Sequence, residues 1–306
     1  MLGPCSAHLG DAVDVYPTLE PGYSLIVSDG AYGIGGFPGD PKTPHALAEW
    51  YAPHLAAWDR LAAPSSSLYF WCTPEGCARM LPHVEAAGWR LYSRIVWNKG
   101  MAALAGRLDT AALRGWPVAS EDCYFYVREA WDPAGATARL RAAGHRPEDL
   151  DAALGVACVA SRKYLGSDRQ AYPPTDADLQ VLRRAFPCVL DFAPASVRYP
   201  FILPVGVTDV WSGLPVNRPG RHSCAKRDDH TERIVAASSR PGDRVLEPFG
   251  GGAPVLRACR KLGRSCDSIE RDPEWHSKAL AALETRPQDT ATAGQPSLFG
   301  ATEVPR

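Results

Sequence analysis

The chain has 306 residues, 45% of them hydrophobic, and a formal net charge of −1. That is enough apolar material for one large domain or a domain with an insertion. The near-neutral balance excludes bulk basicity, so any nucleic-acid surface must come from local clusters of Arg and Lys.

Nine cysteines without a C-x-x-C pair argue against a zinc site or disulfide framework and for a reducing cytoplasm, and no metal is expected. No apolar run approaches the length of a membrane span, and the first residues lack a basic-then-apolar signal.

Ser24 to Ser28 is a short apolar run, expected to be a buried parallel strand. It ends at Asp29-Gly30-Ala31-Tyr32, and residues 33–44, rich in Gly and Pro, read as a mobile loop. Residues 45–61 show helical spacing of apolar side chains, 67–71 a strand, 77–87 a helix, 91–97 a strand and 122–127 an aromatic strand. Strands alternating with helices predict an α/β fold, a mostly parallel sheet covered on both faces. Trp71 and Trp97 are expected in the core.

From about 132 the character changes. Residues 136–143 and 147–154 read as helices, Gly155 as a turn and 157–165 as a third helix, which is the helix-turn-helix pattern. Ser161, Arg162 and Lys163 on the third segment, with Arg169 and Gln170 after it, are side chains that reach phosphates and base edges. A small helical insert with a solvated basic face is the alternative.

The most informative stretch comes last. Val245 and Leu246 form a short strand, Glu247-Pro248-Phe249-Gly250-Gly251-Gly252 a glycine turn, and 255–262 a helix whose N-terminus faces that turn. Such a terminus favours an anionic ligand group. Residues 265–269 form the next strand, with Glu270 at its tip, where a carboxylate can accept hydrogen bonds from both ribose hydroxyls of a nucleoside cofactor. The glycine spacing does not fit the dinucleotide pattern G-x-G-x-x-G. A helix over 273–283 precedes a tail rich in Thr, Ala, Pro and Gln, expected to be disordered.

Asp29 and Tyr32 make one chemical task readable. The Asp29 carboxylate and the Gly30 carbonyl can accept the two hydrogens of an exocyclic amine while Tyr32 stacks on its base. The amine lone pair is then drawn out of conjugation and becomes nucleophilic.

These features together resemble the β-group of S-adenosylmethionine-dependent DNA amino-methyltransferases. In that group a D/S-P-P-Y box comes first, the target-recognition region next and the F-x-G-x-G cofactor box last. Arg221, His222 and Lys226 match the family's R-H-P-T-Q-K-P segment, Ile269-Glu270-Arg271-Asp272-Pro273-Glu274 resembles I-E-x-D-P-E, and Trp97-Asn98-Lys99 and Asp209-Val210-Trp211 fit smaller landmarks. The departures are Gly30-Ala31 for Pro-Pro, which predicts a less fixed catalytic loop, and Ala253-Pro254 for Gly-Thr.

The resemblance implies a Rossmann-like methyltransferase fold. Its catalytic half would span 1–130, its target-recognition insert 131–205, its cofactor half 206–285 and its disordered tail 286–306. Asp29, Gly30 and Tyr32 would be catalytic. Asp11, Asp29, Lys226, Glu247, Phe249, Gly250, Gly251, Gly252 and Glu270 would bind S-adenosyl-L-methionine. The substrate would be a flipped adenine (N6) or cytosine (N4) in duplex DNA, and the setting a bacterial or phage-encoded cytoplasmic protein, in some relatives a homodimer. A degenerate relative that binds DNA without turnover is the competing reading, and an RNA or small-molecule methyltransferase a third. Gln295-Pro296-Ser297-Leu298-Phe299 resembles the short peptide by which DNA-processing proteins bind the sliding clamp.

Overall fold

The computed structural model describes residues 4–100, 114–128, 133–157, 159–166, 174–187, 201–202, 206–213 and 226–284. Eight strands form one sheet: β1 (Cys5–Leu9), β2 (Tyr23–Ser28), β3 (Ala62–Cys72), β4 (Arg90–Asn98), β5 (Ser120–Arg128), β6 (Val210–Ser212), β7 (Arg244–Glu247) and β8 (Ser265–Glu270). Their order is β1-β8-β7-β2-β3-β5-β4-β6. All neighbours are parallel except at β5, which runs against both β3 and β4.

The side-chain period of two explains how one sheet supports two cores. Leu68, Phe70 and Cys72 of β3 enter one core, whereas Tyr69 and Trp71 enter the other. The first core is covered by α2 (Leu47–Leu61) and α3 (Pro74–Ala86), through Tyr51, Leu55, Trp58, Cys77 and Met80. The second is covered by α8 (Asp228–Ser238), α9 (Pro254–Leu262) and α10 (Pro273–Glu284), through Ile234, Val235, Leu256, Cys259 and Ala279. Trp58, Trp71 and Trp97 are at most 2% exposed, and a buried side chain of this kind contributes on the order of 3 kcal/mol of transfer free energy. Trp71 and Trp97 are thus core residues, as the sequence suggests.

Between β5 and β6 four helices build a separate small core. They are α4 (Pro133–Ala142), α5 (Asp149–Leu154), α6 (Ala160–Leu165) and α7 (Asp176–Ala185). Ala136, Leu140, Leu150, Tyr164, Leu182 and Phe186 meet there. Gly155, at φ 66°, ends α5 in the left-handed conformation that the turn needs. Phe201 is already back on the main domain, its ring centroid 5.1 Å from that of Phe125.

The sequence pattern missed β1 and β6. β1 reads Cys-Ser-Ala-His-Leu and has little apolar alternation, and β6 is three residues long. Both are edge strands, defined by their pairing with β8 and β4 rather than by their own composition.

Candidate active site

Register decides where the two motifs meet. Ile26 of β2 pairs with Leu246 of β7, so both strands end at the same rim of the sheet. The segment after β2 (29–32) and the turn after β7 (248–253) are therefore neighbours. Gly30 packs so closely on Phe249 that a Cβ at position 30 would lie 2.5 Å from Phe249 Cε2 and 2.8 Å from the Tyr51 hydroxyl.

Tertiary contacts hold the 29–32 segment. The Tyr51 hydroxyl donates to the Ala31 carbonyl at 3.1 Å. Asp40, 8% exposed, accepts from four backbone amides, those of Tyr32 (3.0 Å), Gly33 (2.8 Å), Ile34 (3.2 Å) and Gly36 (2.8 Å). A buried carboxylate and a buried tyrosine thus anchor the segment that follows Gly30, including the start of the Gly/Pro-rich 33–44 stretch. Asp40 and Tyr51 carried no sequence signal beyond being an acid in a loop and an apolar helix position.

A charged network fills the rim. Asp29 Oδ1 accepts from the Tyr32 hydroxyl at 2.8 Å and from Lys226 Nζ at 2.7 Å. Lys226 also donates to the Tyr32 hydroxyl at 2.9 Å and lies 3.1 Å from Glu121 Oε2. Glu121 is paired in turn with Lys99. Glu121 reaches this rim because β5 is antiparallel: Asp122 pairs with Cys72 and Ser120 with Asn98, so the start of β5 lies at the carboxyl ends of β3 and β4. Burial alone would raise the Glu121 pKa, but Lys226 and Lys99 outweigh it and hold the carboxyl below its ordinary range. Burial pushes the Tyr32 phenol well above its usual value, and Asp29 adds to this, so Tyr32 stays a neutral donor. Glu121 was not foreseen, and Lys99 was noted only as part of a landmark.

At the glycine turn, the Gly250 amide donates to the Ile269 carbonyl at 2.7 Å, and a Cβ there would lie 2.6 Å from Ser268 Oγ. Only glycine permits that approach. Glu270 Oε2 accepts from the Gly251 amide at 2.6 Å and its Oε1 from the Asp272 amide at 2.8 Å. The Gly252 carbonyl accepts from the Arg257 guanidinium. Leu9 pairs with Glu270, which brings Asp11, the N-cap of α1 (Ala12–Val15), close to the same tip. Asp11 itself accepts from the Val13 amide at 3.0 Å.

Glu247 has a different task from the one expected of it. Its two oxygens accept the Val255 (2.9 Å) and Leu256 (3.2 Å) amides, and Pro254 has no amide hydrogen. The N-terminus of α9 is therefore already capped by a carboxylate, rather than free for an anionic ligand group. Burial pushes the Glu247 carboxyl up to about 7. Ala253, at φ 52°, is the one non-glycine residue with positive φ among the described residues, a conformation that costs an L-residue about 1 kcal/mol.

In the helical insert, Arg162 and Lys163 are exposed on α6. Ser161 is not available in the same way: its hydroxyl donates to Asp151 Oδ2 at 2.5 Å, while Asp151 Oδ1 accepts the Ala160 and Ser161 amides at 2.6 and 3.1 Å. Ser161 and Asp151 thus join α5 to α6. Arg169, Gln170, Arg221, His222 and the 295–299 segment lie outside the described residues.

A mostly parallel sheet with paired loops at its carboxyl rim defines the class, a Rossmann-like α/β fold of the methyltransferase type. Solved structures share it. The M1.HpyAVI–SAM complex aligns over 92% of this chain and 100% of its own, with TM-score 0.54 and 16% identity. The cytosine-N4-specific PvuII DNA methyltransferase aligns over 94% and 90%, with TM-score 0.55 and 11% identity. A family model described as DNA methylase, of the N6/N4 type, matches residues 23–281, and the chain belongs to this family. Among curated relatives, the type II methyltransferase M2.DpnII of Streptococcus pneumoniae is 32% identical over 80 residues, which is 25% of this chain and 30% of that protein. M.SmaI of Serratia marcescens is 34% identical over 77 residues, 25% of this chain and 26% of its own. These alignments span under a third of each relative.

Proposed function

We propose that the protein transfers a methyl group from S-adenosyl-L-methionine to the exocyclic amine of a flipped base in duplex DNA, N6 of adenine or N4 of cytosine. The observation that carries this reading is the packing of Gly30 on Phe249. It sets the amine-binding segment 29–32 beside the glycine turn 249–252, so that a nucleobase nitrogen and a sulfonium methyl can face each other across one rim.

The residues present suit the cofactor. Glu270 stands at the tip of β8, where an adenosine ribose would sit, and Phe249 and Gly250–Gly252 border the turn below it. When bound, the cofactor supplies an electrophilic methyl carbon, whose bond to sulfur breaks, leaving its electron pair on sulfur, as the new carbon–nitrogen bond forms. Asp29 accepts one amine hydrogen and the Gly30 carbonyl the other, which localises the lone pair on nitrogen. The nitrogen then releases a proton towards the Asp29 carboxylate. Alignment contributes most of the rate, since no new anion forms.

The helical insert, residues 131–205 between halves 1–130 and 206–285, supplies DNA contacts through Arg162 and Lys163, with Arg169 and Gln170 beyond α6. The Gln295–Phe299 peptide docks on a sliding clamp, and a second copy of the chain completes a homodimer. No helix among the described residues is long and apolar enough to cross a membrane.

The test is to incubate the protein with unmethylated plasmid DNA and labelled cofactor, digest to nucleosides and weigh the product. N6-methyladenine or N4-methylcytosine is expected, and Asp29→Ala should abolish it while cofactor binding persists. Cofactor binding without any methylated nucleoside from the wild type would reduce the protein to a binding relative.

A further inference from the structure

The ammonium of Lys226 occupies the Asp29 oxygen that the proposed target amine would use. It donates to Asp29 Oδ1 at 2.7 Å and lies 5.3 Å over the Tyr32 ring and 5.1 Å over that of Trp71. A donor to Asp29 held over the Tyr32 face is also what an extruded amino-base would present. The Lys226 side chain is 5% exposed, so its charge persists only because carboxylates face it. Burial lowers its pKa, yet Asp29 and Glu121 outweigh burial and keep it protonated.

A second acceptor waits beside the first. Glu121 Oε2 is 3.1 Å from the same Nζ but is buried and lacks a hydrogen bond among the described residues, because the ion pair is poorly aligned. Its other oxygen is held by Lys99, whose ammonium lies 4.8 Å over the Trp97 ring. The Glu121 carboxylate is therefore fixed in place with one oxygen open towards Lys226.

We propose that Lys226 is a positioning residue that holds Asp29 until the target amine arrives and then passes to Glu121 Oε2. The proposal rests on the methyl-transfer reading above. A buried ammonium displaced from Asp29 without another partner would be left uncompensated, so release of Asp29 depends on Glu121. When the amine donates to Asp29, Lys226 turns to the open oxygen of Glu121, and no charge is stranded. When product leaves, Lys226 returns.

This arrangement predicts suppression. Glu121→Gln removes the charged acceptor, so Lys226 stays on Asp29 and kcat/KM for plasmid DNA falls about tenfold. Adding Lys226→Met to Glu121→Gln frees Asp29 and recovers most of that loss. A structural role for either residue, or a direct role for Lys226 in transfer, makes the double variant as slow as Glu121→Gln or slower, and that result overturns the proposal. Thermal denaturation of each variant reports on the fold. If Glu121→Gln fails to fold, Lys226→Met and Lys226→Arg decide the matter. Met cannot hold Asp29 and must give the lower KM for DNA, and the reverse order overturns the proposal. Wild-type protein that transfers no label removes the underlying reading, and this proposal with it. Wild-type protein that transfers label without suppression in the double variant removes this proposal alone.

Discussion

Gly30 and Phe249, 219 positions apart in the chain, are in contact so close that the smallest side chain at position 30 would overlap the phenyl ring. Phe249 is also packed by the rings of Trp50, Tyr51 and His54, with centroids 5.5, 6.4 and 5.1 Å away. The ring therefore has little freedom to yield.

Gly30→Ala should consequently lower stability by about 1–3 kcal/mol, the usual cost of overpacking, and reduce methyl transfer. Trimming the partner should compensate, so Gly30→Ala with Phe249→Leu should melt above Gly30→Ala alone. Thermal denaturation of the two variants checks this. Additive losses would mean that the Phe249 contact is not what constrains position 30.

Glu270 gives the second expectation. Replacing it with Ala removes a charged acceptor at the proposed ribose site, worth about 1.5–3 kcal/mol. Affinity for S-adenosylmethionine, measured by calorimetry, should fall by roughly ten- to a hundredfold. Because Glu270 also accepts the Gly251 and Asp272 amides, a modest drop in melting temperature should accompany it. Unchanged affinity would place the ribose elsewhere.

Glu247 should leave a mark on the pH dependence of stability. Burial raises its folded pKa from 4.5 to about 7. Between those values the folded chain binds more protons than the unfolded one, so this carboxyl costs stability progressively as pH rises from 4.5, and the cost is complete above about 7. His54 and His230, both lowered to about 4 by burial, act in the opposite direction over roughly the same window. Comparing Glu247→Gln with the wild type cancels the histidines. The variant should gain on the wild type by up to about 3 kcal/mol between pH 4.5 and 7.5, read from urea melts. A pH-independent difference would show that Glu247 does not titrate in this window.

The insert predicts a division of labour on one short helix. Arg162→Ala and Lys163→Ala should each weaken DNA binding across sequences and reduce the salt slope by about one. Ser161→Ala should instead destabilise the α5–α6 pair by about 1.5 kcal/mol, the low end for a hydrogen bond to a carboxylate, because its hydroxyl is bound to Asp151. Fluorescence anisotropy at several salt concentrations, with circular dichroism melts, separates the two effects.

Much of this was legible in the chain. The strand, glycine turn, helix, strand and acid over 245–270 are local patterns, and the structure reproduces them as β7, α9 and β8. Local pattern also placed Asp29 and Tyr32 after a strand end and the Gly155 turn between two helices of the insert, because glycine turns and apolar periodicity are written in neighbouring residues. It did not give the capping role of Glu247, whose partners lie eight and nine residues on. The side-chain roles of Asp40, Tyr51, Lys99 and Glu121 were equally silent, since each depends on a partner brought close by folding.

The sequence by itself determined the inner strands, the helices beside the two motifs and the residue types at those motifs, though not the edge strands β1 and β6, for these follow from short-range periodicity and from backbone freedom at glycine. The tertiary structure alone decided that β5 runs antiparallel and delivers Glu121 to the rim. It alone decided that Lys226 is shared between two carboxylates, and that a phenylalanine ring packs on position 30, which must therefore be glycine. Pairing direction and side-chain contact are set by strands far apart in the chain competing to bury apolar surface and satisfy charge together, and no local window contains both partners.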